Sequence, residues 1–356
     1  MKRKMTGVLL AAAMAASLLG GCGSKQEETK EAAKTEENTA KEADGEDTKA
    51  EEPKTEADKK AAGEELTIAI VPWNMAMSFE SSFAYTAQAE IESRGWKAVI
   101  MDPAGDWASE YTIIENLVTQ GVDGIIYTAI DTDGANDAVA IAREAGIPIV
   151  DFDCLASDGT ADASVCYDDY QGGVMAAEQC MEALDGKKDA QIIVFEDEPS
   201  IASSGLRING FKDYLAENYP DVEVVMNRAS DRTSDGCYIW ATDMITAYPD
   251  ADAFFCYWAE CTMAAYNALQ DAGKTDVYVI GYDATEEQKE LMVNSGEDCR
   301  LYASPGMSSV KMAVKCVEFM EQILNGEYTR SGPEDIFEFK PELLTVHNAK
   351  EFDIDK

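Results

Sequence analysis

Histidine is almost missing from this chain: His347 is the one example in 356 residues. Any general acid–base chemistry would therefore fall to carboxylates. Basic residues are scarce as well. Lys and Arg number 29 against 68 Asp and Glu, a formal net charge of −39, and a surface of that sign repels phosphate backbones, which argues against a nucleic-acid binder. No G-x-G-x-x-G, P-loop, H-E-x-x-H or G-x-S-x-G segment occurs, so the common nucleotide, zinc-protease and serine-hydrolase signatures are lacking. There is no C-x-x-C. Cys256 and Cys261 have four residues between them and no histidine near them, and no metal or cofactor is expected. Residues 23–65 hold no Ile, Leu, Val, Met, Phe, Trp or Tyr. Such a stretch has nothing to bury and is expected to act as an extended, acidic tether.

The remainder divides sharply. Lys2-Arg3-Lys4 precedes an apolar run from Thr6 to Leu19, and Gly20-Gly21-Cys22 follows it. The run is too short for a spanning helix and fits a signal peptide, residues 1–21. Small residues before a cysteine resemble a bacterial lipobox, which makes Cys22 the expected site of lipidation and the membrane anchor, with residues 22–65 as the tether. Residues 1–21 carry +3 and residues 22–65 carry −7, leaving −35 on residues 66–356. Those 291 residues suit two domains. Eight cysteines lie there, at 154, 166, 180, 237, 256, 261, 299 and 316. Most read as small buried apolar residues, and their pairing is not legible.

From Leu66 short β-rich runs alternate with helical stretches. Strands are expected at 66–71, 96–101, 123–127 and 147–152, with helices at 79–94, 111–120 and 135–145. The second half repeats the scheme, with strands at 191–195, 222–226, 253–257 and 277–281 and a long helix at 308–325. Strands alternating with helices give a parallel sheet covered on both faces. Two such α/β halves in tandem imply a cleft between them, where strand carboxyl ends gather ligands.

The residues at those strand ends have a common character. Trp73 and Asn74 follow the first strand, with Phe79 at the next helix. Asp102 and Trp107 follow the second, Asp131 and Asp133 the third, and Asp153-Cys154 the fourth. In the second half Trp258 and Asp283 follow strands, with Arg228, Asp231 and Arg232 in a loop between. Flat aromatic faces mixed with carboxylates and a few guanidiniums suit a sugar: C–H faces stack on rings, and hydroxyls find acceptors and planar donors. Each of these residues also has a plainer use, an Asp as helix N-cap or a Trp as a cover for the sheet edge. An enzyme built on paired carboxylates, such as a glycosidase, is the alternative chemistry.

In order and spacing, several segments resemble the type I periplasmic sugar-binding proteins, close to the ribose and galactose binders of bacterial ABC importers. They are Thr67-Ile-Ala-Ile-Val71 with Phe79, Gln120-Gly-Val-Asp-Gly-Ile-Ile126 leading to Asp131, and Gly146-Ile-Pro-Ile-Val150 leading to Asp153. Next come Asp168-Asp169-Tyr170-Gln-Gly-Gly173, Gly205-Leu-Arg207-Ile-Asn-Gly-Phe211 and Val279-Ile-Gly-Tyr-Asp283. The resemblance covers residues 66–346. It implies two doubly wound parallel-sheet lobes, 66–168 with 305–329 and 169–304 with 330–356, joined by three crossings near Asp168, Ser304 and Arg330. It also implies hinge closure on a small molecule, a permease as partner, a monomer, and a binder in place of an enzyme. Carried over by position, Phe79 is a stacking wall, Asp153 and Asp283 are hydroxyl acceptors and Asp131 lies at the pocket edge. The chain departs from the ribose-type pattern at Cys154, Gly205, Trp258 and Ser304, and Arg207 takes a more structural place. Fewer guanidinium forks and more Trp faces imply a ligand other than ribose. A sensor for a signalling receptor and a binder of a nucleoside remain as alternatives of the same fold.

Overall fold

The computed structural model describes residues 65–196, 201–229 and 231–356. The expected signal peptide, Cys22 and all but the last residue of the tether lie outside them.

Two six-stranded sheets form the frame. The first contains β1 (Thr67–Val71), β2 (Lys97–Ile100), β3 (Gly124–Tyr127), β4 (Ile149–Phe152), β5 (Ala163–Tyr167) and β11 (Phe337–Phe339), in the spatial order β11-β5-β4-β3-β1-β2. The second contains β6 (Gln191–Phe195), β7 (Glu223–Asn227), β8 (Ala253–Phe255), β9 (Tyr278–Ile280), β10 (Leu301–Gly306) and β12 (Glu342–Thr345), in the order β12-β10-β9-β8-β6-β7. Within each lobe the first five strands take one order, 2-1-3-4-5, all parallel. The single antiparallel pair is β10 with β12. Strands β3, β4 and β8 are buried at every position, as a parallel sheet covered on both faces requires.

Helices connect the strands. In the first lobe they are α1 (Ser78–Ser93), α2 (Trp107–Gln120) and α3 (Ala135–Glu144), and in the second α4 (Asp169–Ala183), α5 (Ala202–Asn218), α6 (Ser234–Ala247), α7 (Ala259–Asp271) and α8 (Glu286–Ser295). The last helix, α9 (Ser309–Leu324), packs against α1 and the first sheet. Local chemistry sets the ends. Helix α2 begins earlier than its apolar pattern suggests because the Asp106 carboxylate accepts from the Ser109 N–H. It stops at Gly121, whose φ is 69°.

The chain passes between lobes at Asp168, at Met307–Ser308 and at Lys340–Pro341. The last passage lies beyond the expected Arg330, because Phe337–Phe339 still pairs with β5. Tyr167 ties two passages together: its hydroxyl accepts from the Ser308 N–H at 2.8 Å. No disulfide joins the eight described cysteines, and only Cys166 among them is not buried.

Candidate functional site

The 2-1-3-4-5 order places a topological switch point between β1 and β3 in one lobe and between β6 and β8 in the other. Loops leaving the strand ends diverge there and open a crevice. The two crevices face each other. From the first lobe come Trp73, Met77, Phe79 and Glu80 after β1, and Asp153 and Cys154 after β4. From the second come Ile201, Ser203, Ser204 and Arg207 after β6, Arg232 after β7, Trp258 after β8 and Asp283 after β9. Asp153 and Asp283 occupy corresponding places in their lobes. Both carry a left-handed backbone, φ 56° and 73°, a strained conformation for a residue with a Cβ and one that clusters at binding sites.

The lobes touch across this cleft. The Ser78 N–H and Oγ–H both donate to Glu260 Oε1, at 2.8 and 3.0 Å. Cys154 Sγ lies 3.0 Å from Ser203 Oγ, and Arg207 Nη2 reaches Asp153 Oδ1 at 3.4 Å. The Arg232 guanidinium lies over the Trp258 ring at 4.4 Å and 5.3 Å from the Trp73 ring. The cleft is closed, and its centre is a cavity of about 40 Å³. That is far below the ~300 Å³ at which small-molecule pockets begin. A ligand therefore enters by separating the lobes. On the solvent side of Trp73 and Arg232 the cleft widens into a hollow of about 580 Å³.

Acidic groups outnumber basic ones in the centre. Arg207 is buried. Its Nε donates to Asp169 Oδ1 at 2.7 Å, its Nη1 donates to the Tyr257 carbonyl at 3.0 Å, and its plane lies 4.4 Å from the Tyr282 ring. Those two hydrogen bonds, the ring and the contact with Asp153 hold it as a permanent cation. Glu80 is 4 % exposed and accepts from the Trp73 N–H at 3.0 Å. Burial, and the negative charge of Asp153 nearby, push its carboxyl up to about 8. Burial likewise raises Asp283 to about 7, although Arg207 and the Ala259 N–H, which donates to its Oδ2 at 2.8 Å, pull the other way.

The chain matches the periplasmic binding protein domain over residues 68–328. It belongs to that family. The ribose import binding protein of Salmonella typhimurium (strain LT2) is 28% identical over 261 residues, covering 73% of this chain and 86% of the relative. The ribose import binding protein of Bacillus subtilis (strain 168) is 26% identical over 263 residues, 74% and 83% of the two chains. Among solved structures, the Caulobacter myo-inositol binding protein bound to myo-inositol superposes with a TM-score of 0.73 at 20% identity, covering 82% of this chain and 97% of that one.

In this periplasmic binding protein the cavity gathers seven of the residues expected from sequence: Trp73, Phe79, Asp153, Cys154, Arg207, Trp258 and Asp283. Asn74 and Asp231 line the outer hollow instead. The Asn74 side-chain oxygen accepts from the Ala76 N–H, and Asp231 Oδ1 accepts from the Thr233 N–H and hydroxyl, so both shape their own loops. Four expected residues stand away from the cavity. Trp107 opens α2 and lays its ring over Gly134 and against Tyr111. Asp131 accepts from the Gly134 N–H at 2.8 Å and shapes the turn into α3. Gly205 lies within α5. Ser304 is wholly buried in β10, where it donates to Gln288 and accepts from the Ala284 N–H.

Glu80 and Arg232 are the charged cavity residues not among those expected at the strand ends, Arg232 being expected only in a loop. A signal for Glu80 does exist. It shares a stripe with Phe83, Ala84, Ala87 and Ile91, all buried, so an acidic residue stands on the apolar face of its helix.

Proposed function

We propose that this chain is the solute-binding lipoprotein of an ABC-type importer, which takes a sugar or sugar-like polyol between its lobes and presents the closed form to the permease. One observation carries the reading: the rings of Trp73, Phe79 and Trp258 and the carboxyls of Asp153 and Asp283, drawn from both lobes, line one closed cleft, where they would serve as stacking walls and acceptors. A ligand touching both lobes is fully bound only when they are shut, so binding shifts the population toward the shape a permease recognises. Relatives named for import of ribose and D-apiose and for binding of xylitol support the substrate class. The chain works as a monomer and releases its ligand unchanged. Cys22 carries the lipid anchor, and residues 23–65 span the distance from membrane to lobes.

Melting the protein against a panel of monosaccharides, glycosides, polyols and nucleosides tests this. At least one sugar or polyol is expected to raise the melting temperature saturably and to be recovered intact afterwards. A converted product would make the chain an enzyme, and stabilisation by nucleosides alone would move the substrate class. For the anchor, Cys22→Ala is expected to shift the protein from the membrane fraction to the soluble one with its melting temperature unchanged; membrane retention would remove the lipid.

A further inference from the structure

We propose that the molecule held in this cleft carries a protonated amine on its hydroxyl-bearing frame: an amino sugar or amino polyol. The proposal rests on the sugar or polyol reading above and narrows it.

The first ground is an unmatched acid. Glu80, Asp153 and Asp283 line the cavity, and Asp169 stands behind it on Arg207. Arg207 is occupied by Asp169, Asp153 and the Tyr257 carbonyl. Glu80 makes no ion pair among the described residues, although Arg207 and Arg232 line the same cavity. Its Oε2 accepts from the Trp73 N–H. The ionisable groups acting on it are Asp153, Asp283 and Glu260, all acidic. A buried carboxyl so placed keeps its proton at neutral pH and awaits a positive donor. An ammonium group supplies that charge, and its remaining N–H bonds reach neighbouring acceptors.

The second ground is independent of the acids. The space between the Trp73 and Trp258 rings already holds a cation, the Arg232 guanidinium. Once the lobes part to admit it, a ligand that reaches Glu80 and Asp283 competes with that side chain for the two ring faces. A neutral sugar would offer those rings only C–H stacking in place of the cation–π contact, whereas an ammonium restores the contact with charge. An anion is disfavoured by the carboxylates. The hydroxyl frame is served separately: Trp258 is 2 % exposed and its Nε1 donor has no partner among the described residues, so a ligand oxygen would satisfy it. The strongly acidic body also draws cations toward the cleft.

The test is titration calorimetry on the full chain with matched probes. These are D-glucosamine against D-glucose and N-acetyl-D-glucosamine, D-galactosamine against D-galactose, and 1-amino-1-deoxy-D-sorbitol against D-sorbitol. At least one amine is expected to bind about tenfold or more tighter than its uncharged partners. Its binding is expected to release protons, seen as a heat that differs between phosphate and Tris buffers, because Glu80 ionises against the ammonium. In Glu80→Gln the proton release should shrink to what Asp283 supplies and the amine preference should fall severalfold. If uncharged partners bind as well as the amines in every pair, the amine proposal fails and the sugar-binding reading stands. If no probe binds, both fall. An undiminished preference in a folded Glu80→Gln also overturns the proposal. Should that variant not fold, the wild-type pairs and their proton release decide alone.

Discussion

Arg207 and Trp73 show how differently two cavity residues are held. Arg207 lies inside the second lobe with Asp169 2.7 Å away. Truncating it would strand a buried carboxylate without its partner, and breaking such a pair costs about 3–5 kcal/mol. Arg207→Ala is expected to lose stability on that scale in urea unfolding. Trp73 sits at the cleft mouth, half-buried, with its ring on Gly105 and near Arg232. Trp73→Ala is expected to leave the melting temperature nearly unchanged and weaken ligand binding by about 1–3 kcal/mol; equal affinity would take the ring out of the site. Aromatic and acidic residues at strand ends were legible because the strands themselves were. Trp107 and Asp131 fit the same rule yet stand away from the cavity, since a strand-end residue caps or covers as readily as it binds. Glu80 was missed for the opposite reason: it lies one turn into a helix, where attention to loops does not reach.

At the level of elements, two segments that looked like separate signatures turn out to be one contact. Asp169 to Gly173 opens α4, and Gly205 to Phe211 lies in α5. The helices cross so closely that a Cβ on Gly173 would stand 2.0 Å from the Arg207 carbonyl oxygen, and one on Gly210 2.1 Å from that of Tyr170. Both obstacles are backbone, so neither can swing aside. The close crossing brings Arg207 onto Asp169 and fixes the floor of the cleft. Gly173→Ala or Gly210→Ala is therefore expected to cost about 1–3 kcal/mol through overpacking and to weaken ligand binding as well, measured by denaturation and calorimetry on the same samples. An unaltered unfolding curve would show that the helices part without cost. The alternation of strands and helices was readable because long apolar runs are buried on both faces. The elements not anticipated lack that signal. β5 is Ala-Ser-Val-Cys-Tyr, β10 contains Pro305, and β11 is three residues whose existence depends on β5. Helix α8 buries only Gln288 and Met292. The partner of β11 is remote in the chain, Phe337 lying beside Val165, which is why the third passage falls later than its local sequence suggests.

For the whole molecule, buried acids and surface charge act in one direction. Burial raises Glu80 and Glu110 to about 8, Asp283 to about 7 and Asp151 to about 6. Each holds a proton in the folded chain at a pH where the unfolded chain has released it. The folded state thus binds more protons, and stability falls as pH rises from the ordinary carboxyl range through these raised values. Each group contributes up to about 1.4 kcal/mol per pH unit inside its own window. Repulsion within a body of such high negative charge adds to the loss. The ligand-free protein is expected to melt progressively lower between about pH 5.5 and about pH 8.5, opposite to a protein whose carboxylates are paired. Glu110 separates the contributions, since it lies in the first lobe's own core with Oε2 accepting from the Ile130 N–H and Oε1 unpartnered among the described residues, away from the cleft. Glu110→Gln should flatten the slope without changing ligand affinity, because an amide keeps the acceptor and has no proton to lose. A melting temperature that stays level or climbs over this range would mean that these carboxyls are ionised in the folded chain and that water or a counter-ion reaches them.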